Sequence, residues 1–175
     1  MFIIQYLSKL LKILRSGASP PQIAGGLILG MMMGLSPSFF TLTNLFLVLL
    51  LIILNVNISM AVFSYAIFSG IAYLLDPWFH NLGYSLLVNM DGLRGLWTTL
   101  YNAPMVPFTR FNNTVVMGSL VISIGLLIPV YFLSKTLVIK YREKLEPKVK
   151  NSKWVKLLKS NQIYQLYEKL KILGE

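Results

Sequence analysis

The chain has no cysteine, one histidine and only six acidic residues among its 175. Without cysteine there is no disulfide framework and no thiolate metal site. The carboxylates are Asp76, Asp91, Glu143, Glu146, Glu168 and Glu175, spread too thinly to form a metal cluster or a nucleophile-and-base set. No phosphate-binding loop accompanies them. His80, set among aromatic residues, reads as an interfacial hydrogen bonder rather than a ligand or a base. The sequence therefore predicts no catalytic residue, no cofactor and no metal, and it is not read as an enzyme. Charge of either sign is scarce, at 13% of residues.

Apolar residues fill the space that charge leaves. They make up 55% of the chain, and the mean hydropathy is +0.66. A soluble domain of this length is more polar. The run from Leu45 to Leu54, LFLVLLLIIL, carries no charge at all. This composition predicts an all-α integral membrane protein. Four segments are apolar: 22–36, 38–54, 58–75 and 114–133. None contains Asp, Glu, Lys, Arg or His. Such residues usually mark proton and ion paths, so their absence argues against an ion-coupled pump as well as an intramembrane enzyme.

The sixteen lysines and arginines are placed unevenly. Lys9, Lys12 and Arg15 lie near the start, eleven lie from Lys135 to Lys171, and only Arg94 and Arg110 fall between. The positive-inside rule then puts both termini in the cytoplasm, with an even number of crossings. Segment 22–36 is about 22 Å long as a helix, short of a hydrocarbon core of about 30 Å. Its length favours a re-entrant hairpin with segment 38–54, turning inside the bilayer at Pro37. Four full spans are the alternative. Both layouts place residues 76–113 on the far side.

Residues 1–18 read as an amphipathic helix on the membrane surface rather than a signal peptide. Phe2, Ile3, Tyr6, Leu7, Leu10 and Leu14 form its apolar stripe, and the basic residues lie largely off it. Residues 19–133 form the membrane domain, with 76–113 as a non-cytoplasmic interfacial region of one or two short helices. There Asp76-Pro77 is expected to start a new element, with Trp78, Phe79, Tyr84, Trp97 and Tyr101 as interface anchors. Residues 134–175 form a basic amphipathic cytoplasmic tail. Its Lys148, Lys150, Lys153, Trp154, Lys156 and Lys159 are expected to meet anionic headgroups or a partner. Charge without a recognition fold is not read as nucleic-acid binding.

Within AGGLILGMMMGLSPSFF (residues 24–40), Gly26, Gly30 and Gly34 recur every fourth residue before Pro37. Helices in lipid associate by close packing and polar contacts, so this stripe predicts a tight helix contact. Segment 38–54 is the expected partner; a homodimer is the alternative. Thr41, Thr43 and Asn44 read as inward-facing hydrogen bonders, with a substrate site as the sharper possibility. Ser64, Ser69, Ser119 and Ser123 are expected to bond to their own helix backbone.

SPPQIAGGLILGMMMGLSP, a long apolar run and then NVN resemble the bacterial domain-of-unknown-function family 2062, small inner-membrane proteins. The chain has Asp76-Pro77 where that family has an Asn-Pro-x-Thr segment. LLDPWFHNLGYSLL and RFNNTVVMGSL resemble a subgroup encoded in a two-gene pair with a larger envelope protein. That resemblance implies a non-enzymatic subunit anchoring or assisting the larger periplasmic protein, with lipid transport between membranes as the activity served. A small oligomeric transporter or lipid-handling protein, and a membrane accessory to a glycosyltransferase, are the alternatives. The partners expected are membrane lipid and the envelope protein, with homo-oligomers allowed and no nucleic acid.

Overall fold

A computed structural model describes residues 9–147. Among them there is no strand. The first helix, α1, covers residues 9–14. Then follow α2 (Pro20–Leu35), α3 (Leu42–Ile53), α4 (Ile58–Tyr84), α5 (Arg94–Asn102) and α6 (Thr114–Lys140). Two of these, extended through π-helical turns to Ile58–Asn89 and Thr114–Lys144, are long and apolar enough to cross a membrane. The apolar helices α2 and α3 are shorter. The tail residues Lys148, Lys150, Lys153, Trp154, Lys156 and Lys159, and residues 1–8 of the surface helix, lie outside the described residues.

Local chemistry fixes the start of α2. Ser19 caps it, with its hydroxyl accepting from the Gln22 N–H at 3.4 Å while the Gln22 amide oxygen accepts from the Ser19 N–H at 2.8 Å. Pro20 and Pro21 occupy the first turn, where a missing N–H costs nothing. Pro37, two residues past the helix end, stops it. Helix α3 starts only at Leu42, four residues later than the apolar run, because Thr41 is extended and caps the Asn44 N–H at 3.2 Å. At its other end Asn55 takes a left-handed conformation (φ 47°), which Asn tolerates better than most residues. The chain then enters α4 through the Asn57 cap, whose side chain accepts from the Met60 N–H at 2.8 Å.

Helices α2 and α4 run parallel, because successive glycines of α2 meet successively later residues of α4. A Cβ on Gly26 would strike the Asn57 carbonyl, one on Gly30 the Ala61 carbonyl, and one on Gly34 would lie 2.7 Å from the Tyr65 carbonyl. This corrects the expected pairing: the stripe packs against α4, not against α3. The short loop does bring α3 back along α2, where Leu29, Met33 and Leu47 form a buried cluster. That contact is built from side chains of ordinary size. The parallel neighbour takes the glycine face because its backbone comes closest.

Asp76-Pro77 does not begin an element. Helix α4 runs through Pro77 without a break. The proline removes one N–H and leaves the Tyr73 carbonyl without its usual donor. Packing on both sides holds the helix together. Phe79 is fully buried rather than an interface anchor, in a cluster with Met31, Leu35 and Ala72. Just beyond it, α4 meets the start of α6 in a second close contact. A Cβ on Gly83 would collide with the Thr114 carbonyl, and one on Gly118 with the Phe79 carbonyl. The pairings 83 with 114 and 79 with 118 make α4 and α6 antiparallel. Overpacking of this kind costs about 1–3 kcal/mol. Gly118→Ala is thus expected to lower unfolding stability by that amount, measured by thermal denaturation in detergent. Gly125→Ala on the same helix, where nothing lies within 4 Å, should be neutral or slightly stabilising.

A second compact unit begins at Leu137. Its described part is the end of α6 and the π-helical turn Tyr141–Leu145.

Candidate functional site

Most apolar side chains on the outer faces of α3, α4 and α6 are exposed, among them Ile52, Leu74, Ile128 and Leu133. The polar residues gather elsewhere, at the turn joining α2 to α3. That turn runs from Ser36 to Thr41 and lies beside the middle of α4. A Cβ on Gly34 would approach the Ser69 N–H at 3.1 Å, and the Phe39 and Tyr65 rings meet edge-on at 5.7 Å. The other end of the hairpin is level with the start of α4, where the Asn57 N–H donates to the Gln22 carbonyl at 3.0 Å. From Gln22 to Leu35 is about 20 Å of helix.

The turn pairs two of its own carbonyls, those of Ser38 and Phe39. Asn44 reaches back from the first turn of α3, and its Nδ2 donates to the carbonyls of Ser38 at 2.9 Å and Phe39 at 3.1 Å. The Thr41 N–H also donates to the Phe39 carbonyl, at 3.0 Å. The Ser36 hydroxyl donates to the Ser38 carbonyl at 3.4 Å. Thr41 and Asn44 are buried, and Thr43 is half-buried. Thr41 and Asn44 thus bond within the turn. Asn44 Oδ1 is left buried with no partner.

A loop from between α5 and α6 comes down onto this turn. It contains the 3₁₀ turn Val106–Thr109 and then Arg110, whose guanidinium donates to the Ser38 hydroxyl at 3.3 Å. Two non-glycine residues of the loop have positive φ, Met105 at 75° and Arg110 at 58°. Between turn, loop and α6 lies a cavity of about 20 Å³, lined by Ser36, Thr43, Asn44, Thr109, Ser119 and Ser123 together with apolar side chains. That is room for about one water molecule. Asn44 also borders an open groove of about 630 Å³, walled by Phe39, Phe40, Leu45, Val48, Pro107 and Phe108, with Arg110 on its edge.

Sequence reasoning named Gly26, Gly30, Gly34, Pro37, Thr41, Thr43 and Asn44, and the structure brings them onto one hairpin. It missed Arg110 as part of the same site. Seventy-two positions separate Arg110 from Ser38, and no periodicity links them. It also missed Gly83 and Gly118, which are single glycines on different helices with no repeat to mark them. Ser64 departs from its expected bond to its own helix: its hydroxyl donates across to the Leu27 carbonyl at 2.7 Å, over the groove the glycines leave. Ser119 and Ser123 do bond to their own helix, to Val116 and Leu120. His80 Nδ1 hydrogen-bonds the Thr114 hydroxyl at 2.7 Å, tying α4 to α6. The continuous α4 also carries Asp76 and His80 into a helix of membrane length, which segment 58–75 excluded. Among the described residues no group of His, Cys, Asp or Glu could hold a metal ion.

The fold and the hairpin define the class: a protein all-helical over its described residues, with two membrane-length helices and a shorter, polar-tipped helical pair whose glycine stripe packs on α4. The chain belongs to the family described as an uncharacterized protein conserved in bacteria (DUF2062), which it matches over residues 5–146. It is similar to an uncharacterized protein of Treponema pallidum (strain Nichols), 28% identical over 147 residues that cover 84% of this chain and 90% of that one. No solved structure matches it.

Proposed function

We propose that the chain is a non-enzymatic, multi-pass protein of the bacterial inner membrane that handles phospholipid at a re-entrant hairpin. In this reading α4 and α6 span the bilayer, both termini are cytoplasmic, and α2–α3 enter from the cytoplasmic side and turn back inside it. The observation that carries it is the turn itself. It stands about 20 Å from the hairpin's open end, against a hydrocarbon core of about 30 Å. A chain break at that depth needs its backbone groups paired or facing a polar cavity; Asn44, Thr41 and Ser36 pair the Ser38 and Phe39 carbonyls, and the small cavity is lined by Ser36 and Asn44. Broken helices whose polar ends meet at membrane depth are where transporters hold their cargo.

A second reading, an anchor for a larger envelope protein in lipid transport between membranes, rests on α5. No residue of this short helix is buried, and Leu96 and Tyr101 are exposed on it. Purification of the full chain in mild detergent, with lipid and protein partners identified, separates the two. Retained glycerophospholipid on a monomer or homo-oligomer is the expected result. A stoichiometric periplasmic protein, lost on Leu96→Asp, would favour the anchor instead. A cytoplasmic transferase, with no lipid retained, contradicts both.

A further inference from the structure

We propose that the groove between the α2–α3 turn and the Arg110 loop binds a single glycerophospholipid, its phosphate on Arg110 and an acyl chain along the apolar walls. This deepens the re-entrant reading and rests on it. Two features of the groove point to that ligand. The walls are apolar, with Phe39, Phe40 and Phe108 offering ring faces and edges to an acyl chain. On the edge, the exposed Arg110 guanidinium donates to the Ser38 hydroxyl, while the Asp91 carboxylate pairs with Arg94. Most of its five N–H donors therefore remain for an anion, and a planar fork suits a phosphate.

Free phosphate gains only from Arg110 and leaves the apolar walls uncovered. A glycerophospholipid satisfies both, its phosphate meeting Arg110 while its acyl chain fills the apolar wall. The first turn of α3, capped by Thr41, adds the positive end of a helix dipole on the same side. An arginine that reaches a turn at membrane depth would otherwise be costly, and such residues commonly meet a ligand or a counter-charge.

The test is a titration of the purified full chain in detergent with dihexanoyl phosphatidylglycerol, read by calorimetry. Dihexanoylglycerol and inorganic phosphate, each lacking one half of the ligand, are the parallel probes. Saturable binding of the phospholipid is expected, with both halves at least tenfold weaker. Arg110→Gly should weaken phospholipid binding at least tenfold. Glycine accepts the left-handed backbone at that position without strain, so an unchanged melting temperature without lipid separates loss of the guanidinium from loss of the fold. Arg110→Lys should fall between the two. Equal affinity in wild type and Arg110→Gly overturns the site, and so does inorganic phosphate binding as tightly as the lipid. Either result stands whatever the depth of the hairpin, which a label at position 40 reports separately.

Discussion

Gly30→Leu is expected to lower the melting temperature of the detergent-solubilised chain by about 6–12 °C. A leucine there has nowhere to go. Its Cβ alone would collide with the Ala61 carbonyl, and the atoms beside it are the Ala61 carbonyl carbon and Cα. These are backbone atoms of a helix, so relief requires α2 and α4 to separate along the whole glycine stripe. The Ser64 bond to Leu27 sits in the same contact and would lengthen with it. Overpacking of up to about 3 kcal/mol translates into that shift at about 2–4 °C per kcal/mol for a chain of this size. Helix propensity works in the opposite direction, because glycine is about 1 kcal/mol less favourable than alanine in a helix interior. The control is Gly70→Leu on α4, where nothing lies within 4 Å of the added Cβ. That variant should hold or gain stability. Equal losses at positions 30 and 70 would mean that the close approach of α2 and α4 does not support the fold.

The sequence was legible where chemistry is local and periodic. The stop at Pro37 and the four-residue glycine spacing each act within a turn or two of helix, so they can be read in one dimension. The partner of the glycine stripe was not legible. Proximity in sequence pointed to α3, whereas the closest backbone is that of α4, reached only after Asn55 turns the chain. Asp76-Pro77 misled for a related reason. Aspartate followed by proline is a good helix start, yet the burial of Phe79 and the tight contact of Gly83 with Thr114 hold the helix straight through it. Interhelical contacts outweigh a local signal here. The Arg110 site was invisible to sequence patterns altogether. It depends on a loop with two positive-φ residues folding back onto a turn seventy-two positions away.

Neither the family nor the Treponema relative brings a stated activity, so the weight falls on geometry. The account stands or falls on whether the polar turn lies inside the bilayer. The absence of native cysteine makes single-cysteine labelling clean. Phe40 is the natural reporter, since it sits at the turn and its side chain is 88% exposed. The decisive measurement is the depth of a spin label at Phe40→Cys in liposomes, from its relative accessibility to oxygen and to a polar nickel complex. Asn102→Cys serves as the surface reference. The account predicts that the label at 40 lies about 10 Å below the nearer hydrocarbon boundary, rich in oxygen and poor in nickel, while that at 102 shows the reverse. A label at 40 with the same profile as that at 102 would place the turn at the membrane surface and contradict the re-entrant hairpin.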